Sequence, residues 1–144
     1  MKYQIGQTGR AVVVRFEDGE DVLKGLADVA RSESIKSAVL YLVGGMKRGK
    51  FVVGPETEDL PPVPVWRQLG ESHEVLAVGT IFWDKEGPKA HIHGAFGKGD
   101  GVKVGCLRED SSTFLVLEAV IIELKGIDAV REFDPKIGLT LLKL

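Results

Sequence analysis

"KAHIHGAFGKGDGVKVGCLRED", residues 89–110, holds two histidines one residue apart, then a glycine-rich turn, then the only cysteine of the chain. On a strand, successive side chains alternate between faces, so His91 and His93 project from one face, about 6.5–7 Å apart along the chain. The turn "GKGDG" most simply places Gly99 and Asp100, two residue types that tolerate positive φ, at the centre of a two-residue hairpin. Lys98 then pairs with Gly101. Antiparallel partners keep a constant sum of residue numbers, so Cys106 falls opposite His93. Directly opposed residues share a face, with Cα atoms about 4.5–5.5 Å apart, and His91, His93 and Cys106 become a compact triangle. A one-residue bulge in the glycine-rich turn would instead carry Cys106 out of register.

Imidazole and thiolate are natural ligands for Zn²⁺, and three protein ligands leave a fourth position open to water or a small ligand. The plainer alternative is a half-exposed polar strand face carrying two histidines, with the cysteine buried as a small apolar residue. If Glu74–Trp83 and Lys89–Phe96 form a hairpin across "DKEGP", His73 lies at the far end of that ladder. It is read as a surface histidine outside the ligand set. The many glycines form no G-x-G-x-x-G between strand and helix, and "FGKGDG" lacks the hydroxyl residue and helix of a phosphate loop. No serine or threonine sits in a recognisable nucleophile elbow.

The rest of the chain supplies a frame for this hairpin. Its 144 residues suit one domain spanning 1–144, long enough to bury a core without disulfides. With 44% hydrophobic and 28% charged residues the balance is that of a water-soluble globule, and no apolar run reaches the length of a membrane span. "MKYQIGQTGR" lacks the features of a secretory signal, and a lone cysteine forms no internal disulfide, so the expected location is cytoplasmic. A net charge of −2 gives nucleic acid no bulk attraction. "RAVVVRF" reads as a strand, and Val22, Leu23, Leu26, Val29 and Ala30 recur at helical spacing after "EDGED". "SAVLYLVGG" and "KRGKFVVG" read as two strands joined tightly at Gly44 and Gly45, and the proline-rich "PETEDLPPVP" reads as an exposed loop. Further strands are expected at Val65–Leu69, Glu74–Trp83, Lys89–Phe96, Val102–Leu107 and Phe114–Leu124, with a last one near Leu139–Leu142.

"EVLAVGTIFWDKEGPKAHIHGAFGKGDGVKVGCL", residues 74–107, resembles the core of the PPC (plant and prokaryote conserved) domain, formerly a domain of unknown function and present in plant AT-hook nuclear proteins. Residues 12–54, "VVVRFEDGEDVLKGLADVARSESIKSAVLYLVGGMKRGKFVVG", resemble its opening strand, helix and strand pair. "LEAVIIEL", residues 117–124, is similar to its late strand, with Glu118 embedded. The resemblance implies an α+β fold, mainly an antiparallel β-sheet flanked by helix, assembled as a homotrimer and similar in topology to acetolactate decarboxylase, a zinc enzyme. It also implies metal ligation by the histidines of an H-x-H and of a later G-G-H-L. Here the second motif reads Val104, Gly105, Cys106, Leu107, so a cysteine stands where the third histidine is expected.

Three function classes follow. One is a trimeric binding or regulatory module whose metal site holds a small ligand or merely supports the fold. The second is a zinc-dependent hydrolase or lyase acting on a small carbonyl substrate, with Glu74 and Glu118 as the available acid–base groups. For these two carboxylates the plainer readings are a solvated strand-end group and a structural pair. The third is DNA association, which the resemblance implies; but the R-G-R-P hook is missing, and "MKRGK", residues 46–50, is the only basic cluster, so such binding is expected to be weak. The apolar "LTLLKL" at the end of the chain makes a poor solvent-exposed edge, which favours a partner subunit over a monomer that pairs this strand inside its own sheet.

Overall fold

Alternating β-branched and polar residues build eight strands, and one amphipathic segment builds a helix, across residues 1–144 of the computed structural model. The elements are β1 (Gln7–Glu17), α1 (Val22–Ser32), β2 (Ser37–Pro55), β3 (Pro64–Leu69), β4 (His73–Asp84), β5 (Gly87–Lys98), β6 (Gly101–Lys125), β7 (Val130–Asp134) and β8 (Leu139–Lys143). Residues 56–63, most of the proline-rich segment, lie outside the strands and are mostly exposed.

Helix α1 starts where Asp21 accepts the Lys24 backbone N–H at 2.9 Å, satisfying one of the free donors of the first turn. The Ser111 hydroxyl donates to the same Asp21 carboxylate and accepts the Leu23 N–H, both at 2.9 Å, so the cap also ties the helix to β6. Val22, Leu26 and Ala30, spaced at helical period, are fully buried against the sheet.

Every ladder is antiparallel except a single parallel pair, Trp83 with Val130. The pairings β2–β6, β6–β5, β5–β4 and β4–β2 close a circuit, and inside it lie Phe51, Phe96, Leu40, Leu42, Ile92 and Leu117. The Phe51 and Phe96 rings stack with centroids 4.9 Å apart.

Closure depends on bending two long strands, and here the structure departs from the sequence reading. "SAVLYLVGG" and "KRGKFVVG" are one 19-residue strand, not two joined by a turn. Gly44 has φ +139, and a Cβ there would lie 2.5 Å from the Val116 carbonyl oxygen. Register shifts at Gly44–Gly45, and again at Met46–Arg48, bend the strand instead of reversing it. Its first limb pairs with β4, its second with β3. Similarly, Val102–Leu107 and Phe114–Leu124 are limbs of one 25-residue strand, with positive φ at Asp110 and Leu115. Strand β7, "VREFD", was not expected. Its five charge-rich residues carry no alternating apolar signal, and it forms by pairing along the apolar β8.

On the face turned away from the core, register partners form a row across the sheet: Val13, Val120, Tyr41, Val78, His93, Cys106. Tyr41 is 54% exposed, and Leu76, beside the row, is 71% exposed. Strand β8 pairs only with β7 and is exposed throughout, so its other edge is open. No helix is long and apolar enough to cross a membrane.

Gly105 pairs with Gly94, and a Cβ at Gly105 would lie 2.6 Å from the Val52 carbonyl oxygen and 2.7 Å from Phe51 Cδ2. Backbone on one side and a core ring on the other leave no room to relax. Gly105→Ala is expected to cost about 2 kcal/mol, in the range of core overpacking, read from urea unfolding. An unchanged midpoint would contradict this packing.

Candidate metal centre

The β5–β6 hairpin turns at Gly99, φ +55, and Asp100, with Lys98 opposite Gly101. The ladder then runs without a bulge through Gly94–Gly105, His93–Cys106 and Ile92–Leu107. The two-residue turn, rather than the bulged alternative, is therefore the one formed. Alternation puts His91 on the same face as His93, and one ligating atom from each of His91, His93 and Cys106 lies within 4.8 Å of the others.

The two histidine Nε2 atoms are 3.2 Å apart, with ring centroids at 5.0 Å and planes at 80°. Two nitrogens bound at 2.0–2.1 Å to one tetrahedral zinc are separated by about 3.3 Å, so this pair already has the spacing of a shared ion. Without an ion, one Nε2–H donates to the other nitrogen. Cys106 is 4% exposed, with Val52 of β2 and His93 of β5 as its two register partners.

Burial, together with the positive charges of Arg131, His93 and Arg108, lowers the pKa of His91 to about 4. Its imidazole is therefore neutral across the physiological range. Burial pushes the Cys106 thiol up, while Arg108 and Arg131 partly oppose that by favouring the thiolate. The cluster thus combines a nitrogen ready to bind with a sulfur that must first lose a proton.

The remaining residues singled out from the sequence lie elsewhere. His73 is outside the cluster, as expected, but it is buried and not on the surface: it shares the inward parity of Val75 and Ala77, and its Nδ1 is 2.8 Å from the Glu71 carbonyl oxygen. Glu74 is exposed and stands opposite Gly97, well along the strand from His93. Glu118 is exposed between Arg15 and Val43, and no ion pair holds it. Two residues beside the cluster escaped the sequence reading. Arg108 shares the parity of Cys106, and the hairpin register carries it toward His91 one position beyond the last ladder pair, so alternation alone could have found it. Arg131 comes from β7, and nothing in the local sequence announces that strand.

For the metal-free protein, the His91 environment sets a pH dependence. The unfolded chain takes up a proton near pH 6.5 that the folded chain refuses until about pH 4, so stability is full above 6.5 and falls as pH drops through that window. Solvent screens a ring that is only half-buried, which reduces the loss attributable to His91 to about 1–2 kcal/mol. Urea unfolding from pH 7 to 4 should show a shallower decline in His91→Gln; an identical decline would contradict this role of His91.

Several solved structures share this architecture. A metal-containing protein from Archaeoglobus fulgidus is 23% identical, with TM-score 0.87 over all of both chains. A plant- and prokaryote-conserved (PPC) protein from Pyrococcus horikoshii is 26% identical, with TM-score 0.85 over 100% of this chain and 98% of its own. A Ralstonia eutropha protein given a proposed DNA-binding role is 22% identical, with TM-score 0.77 over 92% of this chain and 90% of its own. No protein of curated function matches the chain. The sequence profile of the Plants and Prokaryotes Conserved (PCC) domain matches residues 3–125, from before β1 to the end of β6, and thus takes in the whole closed circuit and the His91–His93–Cys106 cluster. The chain belongs to the Plants and Prokaryotes Conserved domain family.

Proposed function

We propose that this protein is a homotrimeric metal-binding module in which His91, His93 and Cys106 hold one zinc ion per chain and leave one position for a small ligand. The observation that carries the reading is the 3.2 Å separation of the two Nε2 atoms, with Cys106 opposite His93 on the same face. The donor set of two imidazoles and one sulfur suits zinc over magnesium or calcium, which prefer oxygen ligands. When bound, such an ion supplies Lewis acidity and lowers the pKa of a coordinated water toward about 7. His91 enters as a neutral ligand, whereas Cys106 gives up its proton, so affinity rises with pH. The metal content of the Archaeoglobus relative supports the same reading.

Assembly is favoured by the apolar row from Val13 to Val78 and by the open β8 edge, where Leu139, Leu141 and Leu142 are exposed. Exposed apolar surface of this kind marks an interaction site, and an uncovered strand edge invites pairing. Three copies in a ring would cover such surface without open-ended growth. The row ends at His93 and Cys106, which brings the interface to the rim of the metal site.

DNA association, which the Ralstonia relative brings into view, has weaker support in the residues. Every cation of "MKRGK" faces an acid: Lys47 lies 2.8 Å from Asp18, Arg48 3.6 Å from Asp110 and Lys50 3.3 Å from Glu109. Any DNA affinity is accordingly weak and steeply reduced by salt. A zinc-dependent hydrolase or lyase needs an acid–base group at the ion, and neither Glu74 nor Glu118 belongs to the cluster.

Native mass spectrometry of protein purified without added metal tests the proposal in a single spectrum. Three chains carrying three zinc ions are expected. His91→Ala and Cys106→Ala should each remain trimeric while losing most of the metal, because two ligands hold zinc far more weakly than three. A single-chain mass, or full zinc content in both variants, would overturn the reading.

A further inference from the structure

Beside the histidine cluster, a cleft of about 600 Å³ opens between β5, the end of the first limb of β6 and the β7–β8 hairpin; His91, Arg108, Arg131, Lys89, Asp84 and Thr140 lie on its wall. The charges in it are not all equivalent. Lys89 and Asp84 face each other at 3.5 Å, and Asp84 also accepts the backbone N–H groups of Glu86 and Gly87, so this pair is largely neutralised internally. Arg108 and Arg131 have no carboxylate partner: neither takes part in any ion pair of the chain.

Arg131 is also held in place. Its Cζ lies 5.9 Å from the centroid of the buried Phe82 ring, and one Nη donates to the Thr80 hydroxyl at 3.2 Å. Thr80 is the register partner of His91, so the same β4–β5 pair fixes the imidazole and the guanidinium side by side. A partly buried arginine that meets a second cation and no anion is electrostatically unsatisfied; burial and Arg108 together lower its pKa. A planar guanidinium whose remaining N–H groups face a cleft is suited to bidentate recognition of a carboxylate or phosphate. The β7–β8 hairpin that supplies Arg131 lies beyond residues 3–125, so this wall of the cleft falls outside the matched family domain.

We propose that this cleft binds a small oxyanion, a carboxylate or a phosphate, through Arg131 and Arg108 immediately beside the His91–His93–Cys106 cluster. The inference deepens the metal-site reading and rests on it for the chemical setting: an anion held there sits next to the position where zinc polarises a bound group. Phe133, Leu139 and Leu141 also line the cleft and offer apolar surface to a small organic remainder of the anion.

The test is an NMR titration of ¹⁵N-labelled protein at constant ionic strength, with glycolate and with inorganic phosphate as separate probes, on zinc-loaded and on zinc-free samples. Saturable shifts are expected at the amides of Ala90, His91 and Thr140. Arg131→Gln should weaken binding at least tenfold and Arg108→Gln severalfold, while Arg131→Lys keeps part of the affinity. Zinc content of each variant reports the integrity of the hairpin separately, because neither arginine is a ligand. Saturation by glycolate alone assigns a carboxylate site, and by phosphate alone a phosphate site. Should zinc uptake fail while Arg131-dependent shifts persist, the metal reading falls and the oxyanion site stands. Normal zinc uptake with equal affinities in wild type and Arg131→Gln, or no saturable shift with either anion, overturns the oxyanion site.

Discussion

The two-residue turn at Gly99 and Asp100 is the constraint on which the candidate site depends. Side chains on a strand alternate with a period of two, so a turn that took in one further residue of β6 would shift the register by one and exchange the faces of all that follows on that strand. Cys106 would then point toward Phe51 and Phe96, and Leu107 would take its place beside the histidines. Because Gly99 adopts φ +55 and the ladder from Lys98–Gly101 to Ile92–Leu107 runs without a bulge, sulfur and nitrogen meet on one face. Gly94 and Gly105 sit opposite each other next to the His93–Cys106 pair, and the close approach of Val52 and Phe51 to Gly105 keeps the second limb of β2 packed under the cluster.

Around that hairpin the sheet closes because β2 and β6 bend. This is also where the sequence reading stops short. Alternation marks every limb of these strands correctly, yet it cannot distinguish a glycine that reverses a chain from one that bends it. Gly44 bends it because the Val116 carbonyl approaches within contact distance, a fact of partner geometry that no local pattern carries. The hairpin register, by contrast, is legible, because turn length and parity determine it without reference to the rest of the fold. Strand β7 lies at the opposite extreme: "VREFD" has neither period nor β-branched run, and it becomes a strand only because β8 and the end of β4 offer it backbone partners. His73 shows a related gap, since position along a ladder says how far it lies from His93 but not that its parity turns it into the core.

The electrostatics of the cluster follow from what these elements bring together. A half-buried imidazole kept neutral, a thiol held back from ionisation by burial, and two arginines without acidic partners share one small region. Only the arginines carry charge, and they do so without an acidic partner, whereas burial keeps the imidazole and the thiol neutral. A divalent ion held by His91, His93 and Cys106 would need the sulfur as thiolate, the form that the charges of Arg108 and Arg131 favour. In a bound site a thiolate ligand would carry one negative charge more than an imidazole and would make the donor set softer.

The central claim is that one ion is bound by His91, His93 and Cys106 together, and X-ray absorption at the zinc edge tests it most directly. The account predicts one sulfur scatterer at about 2.3 Å with nitrogen or oxygen neighbours at about 2.0–2.1 Å, and loss of the sulfur shell in Cys106→Ser. A first shell of nitrogen and oxygen only, with no sulfur in the wild-type protein, would contradict it.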